Sequence, residues 1–142
     1  MRIQSILDTK GSRVEAIDLG VRVEQAAREL ADLGIGSLVV RDGAVVVGIL
    51  DERDIVLGLA KHGPAVFDLP VSELMRREPV TCTSDQTVRE VMALLTARRV
   101  RHVLVIGALG PCGIVSIGDL LKHRLEEAEL EVGVLRDYAR AR

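Results

Sequence analysis

The apolar positions of this chain follow two periods, one helical and one strand-like, and their order recurs. From Val21 to Gly34, "VRVEQAARELADLG" sets Val23, Ala26, Ala27, Leu30 and Leu33 near helical spacing, with Gly34 as the stop. "IGSLVV" (35–40) then reads as a strand, "RDG" at 41–43 as a turn, and "AVVVGIL" (44–50) as a short buried strand running into a helix. Further on, "TVREVMALLTARR" puts Val88, Val91, Met92 and Leu95 on one helix face. "RHVLVI" follows as a strand, "GALGPCG" (107–113) as a looser turn, and "CGIVS" as a strand entering a second helix. Each half is preceded by an extended segment, "VEAI" in one and "PVTCT" in the other.

The recurrence has a fixed offset. Gly48 and Gly113 stand 65 positions apart, as do Asp54 and Asp119, Val23 and Val88, Leu30 and Leu95, Val40 and Val105, and Ile49 and Ile114. Two copies of one unit account for this. The predicted organisation is an N-terminal segment (1–13), a first copy (14–68), a second copy (69–126) and a helical tail (127–142). In the connecting stretch, "VSELM" predicts a short amphipathic turn with Ser72 as its cap. The tail either continues the second copy's last helix or begins another. Gly133 weakens it by about 1 kcal/mol relative to Ala, and Leu125, Ala128, Val132 and Leu135 form an apolar stripe.

Composition narrows what such a pair can do. Phe67 and Tyr138 are the sole aromatics of 142 residues, so the core is aliphatic and base stacking lacks its platforms. A net charge of −2 argues against a phosphate-backbone binder, so no nucleic-acid partner is expected. No apolar run approaches the roughly 18 residues of a membrane span, and "MRIQSILDTKG" interrupts its short apolar patch with Asp8 and Lys10, unlike a secretory signal. Cys82 and Cys112 lack metal-ligand spacing and read as buried fillers in a reducing cytosol. His62 and His123 read as ordinary residues near helix ends, and no metal site is expected. Nor is an acid, base and nucleophile assembled, so no enzymatic activity is expected.

A single copy of this size buries little surface. Two copies packed sheet to sheet about a pseudo-twofold axis would bury both inner faces and leave two clefts. Each cleft would join an aliphatic slot to a helix N-terminus, whose free N–H groups suit an anion. That combination fits a nucleotide, base in the slot and phosphate at the helix.

The residues that carry this arrangement also resemble a known family. "RHVLVIGALGPCGIVSIGDLLK" and "IGSLVVRDGAVVVGILDERDIV" are similar to the motif of the cystathionine-β-synthase (CBS) domain, here as a tandem pair over roughly residues 10–125. The resemblance implies an α/β (α+β) fold of two βαββα repeats. It also implies a non-catalytic regulatory module that senses an adenine nucleotide: AMP first, with ADP, ATP or an NAD-type ligand as alternatives. Carried over position by position, Asp119 would hold the ribose diol and Ser116 the α-phosphate, while Asp54 would be the ribose ligand of the other cleft. Arg101 and His102 match residues that reach phosphates, and Asp51, Arg53, Thr81 and Thr83 complete the candidate set. The resemblance further implies a homodimer, with "VREVMALL", "IVLGLA" and the C-terminal helix as contact surface, and an effector protein as a further partner.

Departures from the pattern make the two clefts unequal. Asp51 stands where the family has Ser or Thr, and a carboxylate about 4 Å from a phosphate costs on the order of 4 kcal/mol at an effective dielectric near 20. Gly36 and Ser37 replace the Arg-His pair, and Leu104 stands where Pro is frequent. The Ser116/Asp119 site is therefore the favoured one. Plainer readings stand beside these. Ser116 with Asp119 also fits a capping box, Asp51 fits an N-cap, Arg53 fits a solvated ion pair, and Arg101 and His102 fit a strand entrance. A structural homodimerisation scaffold with vestigial clefts is the alternative function, and an enzyme subunit completed by a partner a third.

Overall fold

β-Branched runs pack well on a pleated surface, and here they build two sheets on one plan. The computed structural model describes residues 1–141. The first sheet orders β1 (Ala16–Asp18), β2 (Ser37–Asp42) and β3 (Val45–Asp51), and the second orders β4 (Thr81–Cys82), β5 (His102–Gly107) and β6 (Gly110–Ser116). In each, the first pair is parallel and the second antiparallel. Even the register irregularity recurs, between Val40 and Arg41 in one sheet and Val105 and Ile106 in the other. Helices α2 (Val23–Leu33) and α4 (Val88–Arg98) supply the parallel crossovers, and α3 (Glu52–His62) and α5 (Ile117–Arg140) follow β3 and β6. The βαββα repeat is thus present twice.

The chain forms two compact units, Val14–Pro79, and Met1–Arg13 with the chain from Val80 onward. The first has a core around Val23, Leu30, Leu38, Val40 and Leu50, and the second around Val91, Leu95, Val103, Val105 and Val115. Neither unit is confined to one copy's own segment. The N-terminal helix α1 (Ile3–Lys10) buries Ile3, Ile6 and Leu7 in the second copy's core. Val71 and Met75, which the sequence reading places at the start of the second copy, are buried beside Val66 in the first copy's core. The sequence assigns no helix to residues 3–10.

Two further details differ from the sequence reading. The β5–β6 connection is tight, with β6 beginning at Gly110, so "GPCG" is strand rather than turn. The 3₁₀ turn Val71–Glu73 has Pro70 at its N-cap and no side-chain cap, so Ser72 does not cap it. The tail continues α5 through Gly133 as one helix.

The glycines at offset 65 share a physical reason. A Cβ at Gly48 would lie 2.5 Å from the Arg76 carbonyl oxygen and 2.9 Å from Met75 Sδ; at Gly113 it would lie 2.6 Å from Leu7 Cδ2. Both glycines admit the packed segment onto the sheet. The obstacle at Gly48 is backbone, whereas at Gly113 it is the end of a flexible side chain. Gly48→Ala is therefore expected to destabilise the chain by about 1–3 kcal/mol and Gly113→Ala by less, as read by urea denaturation. Equal losses would refute this account.

Candidate functional site

In the second-copy unit, strand β6 ends at Ser116, which becomes the N-cap of α5. Ser116 Oγ accepts from the Asp119 N–H at 3.1 Å, and Asp119 Oδ2 accepts from the Ser116 N–H at 2.8 Å, forming a reciprocal capping box. The capping reading is therefore realised, yet it engages only part of the carboxylate. Lys10 Nζ, from α1, donates to the same Oδ2 at 2.6 Å and to the Ile114 carbonyl at 2.8 Å. Asp119 Oδ1 accepts no hydrogen bond among the described residues, and the side chain is 27% exposed. Burial alone would raise this carboxyl, but the Lys10 hydrogen bond and the Ser116 N–H outweigh it and hold Asp119 below the usual carboxylate range. Asp119 is an ionised acceptor with one oxygen to offer.

The neighbours sort by register. His102 lies directly across the ladder from Ser116 and is half-buried. Arg101 is exposed, and its carbonyl accepts the Ile117 N–H at 2.8 Å. Thr81, also exposed, pairs with Leu104 rather than with the row of Ser116. Thr83 lies beyond the far end of β4 and gives its hydroxyl to Asp85. The sheet thus brings Ser116, Asp119 and His102 together and leaves Thr83 outside the group.

Between α1 and α5 lies a recess of about 200 Å³ lined by Ile6, Thr9, Lys10, Asp119, Lys122, His123 and Glu126. Pockets that enclose a whole drug-sized ligand run to roughly 300–1,000 Å³, so this one has room for a single group. His123 sits in the second turn of a long helix rather than near a helix end, and its Nε2 is buried without a hydrogen bond among the described residues.

The first copy places the matching acids differently. Asp51 caps α3 in another reciprocal box, with Asp54 N–H on Asp51 Oδ1 at 2.9 Å and Asp51 N–H on Asp54 Oδ2 at 3.0 Å. Arg76 Nε donates to Asp54 Oδ1 at 3.3 Å, and its guanidinium lies 3.7 Å from Asp51. Both Asp54 oxygens are engaged, and Asp51 and Asp54 are 5% and 8% exposed. Burial, with the charge of Asp51 adding to it, outweighs the Asp51 N–H and Arg76 and pushes Asp54 up to about 6. Arg53 is exposed on the first turn of α3. Ser37, where the second copy has His102, is buried opposite Asp51.

Sequence reasoning missed Lys10 and Arg76. They are counterparts: Arg76 pairs its backbone with Ile49 and reaches Asp54, while Lys10 reaches Asp119 and the carbonyl of Ile114, the residue equivalent to Ile49. A buried acid pair demands a cation, which is a signal that one exists, but nothing local names it.

The profile of the CBS domain family matches residues 11–61 and 71–126. An uncharacterised protein of Acidianus ambivalens is 32% identical, over 93% of this chain and 78% of its own. A CBS-domain-containing protein of Agrobacterium tumefaciens has a solved structure that superposes with a TM-score of 0.84 at 37% identity, over 87% of this chain and 92% of its own. The hexameric CBS-CP12 protein of bloom-forming cyanobacteria superposes at 0.77 with 27% identity, over 99% and 85%. A protein with CBS domains from Burkholderia ambifaria, assigned to signal transduction, superposes at 0.84 with 29% identity, over 89% of this chain and 95% of its own. With the profile matching both copies of the βαββα repeat, this chain belongs to the CBS domain family as a tandem pair.

Proposed function

We propose that this chain is a non-catalytic sensor that binds an adenine nucleotide, AMP foremost, at the start of α5. The observation that carries the reading is the contrast between the two aspartates. Asp119 is ionised, partly exposed and keeps Oδ1 available, whereas both oxygens of Asp54 are committed inside the protein. A ribose diol donates two hydroxyls, and a carboxylate acceptor makes each bond charge-assisted, worth roughly 1.5–3 kcal/mol. The N-terminus of α5, Lys10 and His102 favour a phosphate on the same side. The first copy offers two carboxylates in the equivalent corner, which repel a phosphate, so the proposal assigns one strong site per chain.

One observation favours the scaffold reading instead: each acid already completes a capping box, so neither needs a ligand to explain its place. Calorimetric titration of the full chain with AMP, ADP, ATP and NAD separates the two. Saturable binding at one site per chain is the expected result. No heat with any of the four would leave the capping role as the whole account.

A further inference from the structure

Helix α5 runs 24 residues, yet Leu120 is its sole fully buried residue. Leu121, Leu125, Val132 and Leu135 are 54%, 61%, 46% and 67% exposed. With Ala128 and Ala139, also exposed, they follow the alternating four-three spacing of a coiled-coil seam from 121 to 139. Gly133, which would weaken an isolated helix, falls outside the seam. Leu125, Val132 and Ala139 take the a positions and Leu121, Ala128 and Leu135 the d positions. At the centre of the seam, β-branched Val132 at a with Leu135 at d suits two parallel strands.

The flanking charges choose the occupant. In a parallel pair in register, each g position faces the e position five residues on in the partner helix. That sets Arg124 against Glu129 and Glu131 against Arg136, both attractive. A fully overlapped antiparallel pair would set Glu129 against Glu129, Glu131 against Glu131 and Lys122 against Arg136, all repulsive. The pattern is complementary to itself in one orientation alone.

We infer that residues 121–139 of α5 form a parallel, in-register two-stranded coiled coil with the same segment of a second copy of this chain. The inference is independent of the nucleotide reading. Sedimentation equilibrium of the full chain is expected to give a dimer. Val132→Glu with Leu135→Glu should weaken it at least 100-fold with the helical circular-dichroism signal of the domain retained. Glu131→Arg should weaken it about tenfold, since two attractive pairs are lost and two repulsive ones take their place, and adding Arg136→Glu should restore it. With Cys82 and Cys112 changed to Ala, Leu125→Cys and Val132→Cys should each oxidise to a self-linked dimer, since in the antiparallel pair these positions face 135 and 128. A monomeric parent chain, a chain that pairs only with a different protein, a dimer indifferent to Val132→Glu with Leu135→Glu, or failure of both cysteines to link would each overturn it.

Discussion

Asp119→Ala is expected to weaken AMP binding by 100-fold or more while the chain stays folded. Two charge-assisted bonds to the ribose hydroxyls at roughly 1.5–3 kcal/mol each set that scale, since 1.4 kcal/mol is tenfold. The structural loss is smaller. Ala removes the acceptor for the Ser116 N–H and for Lys10, and a lost cap costs about 1 kcal/mol. Asp119→Asn separates the two roles, because an amide oxygen still caps the Ser116 N–H but carries no charge. It should keep near-parental stability and still lose most of the affinity. Calorimetry with AMP reads the first quantity and urea denaturation the second. If Asp119→Ala binds AMP as well as the parent, the carboxylate is a cap and nothing more.

What the sequence disclosed follows from how local each feature is. The 65-residue offset was legible because hydrophobic period is fixed by which face each element buries. The serine and aspartate three apart at 116 and 119 were legible for the same reason: a helix start brings such residues together without help from elsewhere. The partners of these acids were not. Lys10 meets Asp119 across 109 positions and Arg76 meets Asp54 across 22, and no periodicity links either pair. Helix α1 is eight residues long and polar on one side, too short for its pattern to stand out, and its stability comes from burying Ile3, Ile6 and Leu7 against another part of the chain. Gly48 and Gly113 aligned in the repeat, but their reason lies in segments that cross over them.

The burial of Asp51 and Asp54 is of this second kind, and it makes Arg76→Met the most destabilising change expected in the first copy. Removing the cation from a buried ion pair typically costs 3–5 kcal/mol. The Arg76 side chain is 30% exposed, so solvent supplies part of the compensation, and about 2–3 kcal/mol at pH 7 is the expected loss. The pH dependence tests the cause. Asp54 sits at about 6 in the folded chain against an ordinary 3.8, so the folded state holds its proton more tightly than the unfolded one. That contribution is fully present below pH 3.8, is lost as the pH rises through 6, and amounts to about 1 kcal/mol between pH 5 and 7. Without Arg76, which draws the carboxyl down, Asp54 holds its proton to a higher pH. Arg76→Met should therefore lose more stability than the parent between pH 5 and 7, and a protonated Asp54 should make its deficit smallest at pH 5. Adding Asp54→Asn should recover much of the loss and flatten the pH profile. Urea melts at the two pH values measure all of this, and an Arg76→Met chain with a deficit unchanged between them would mean that the guanidinium packs against the acids without compensating their charge.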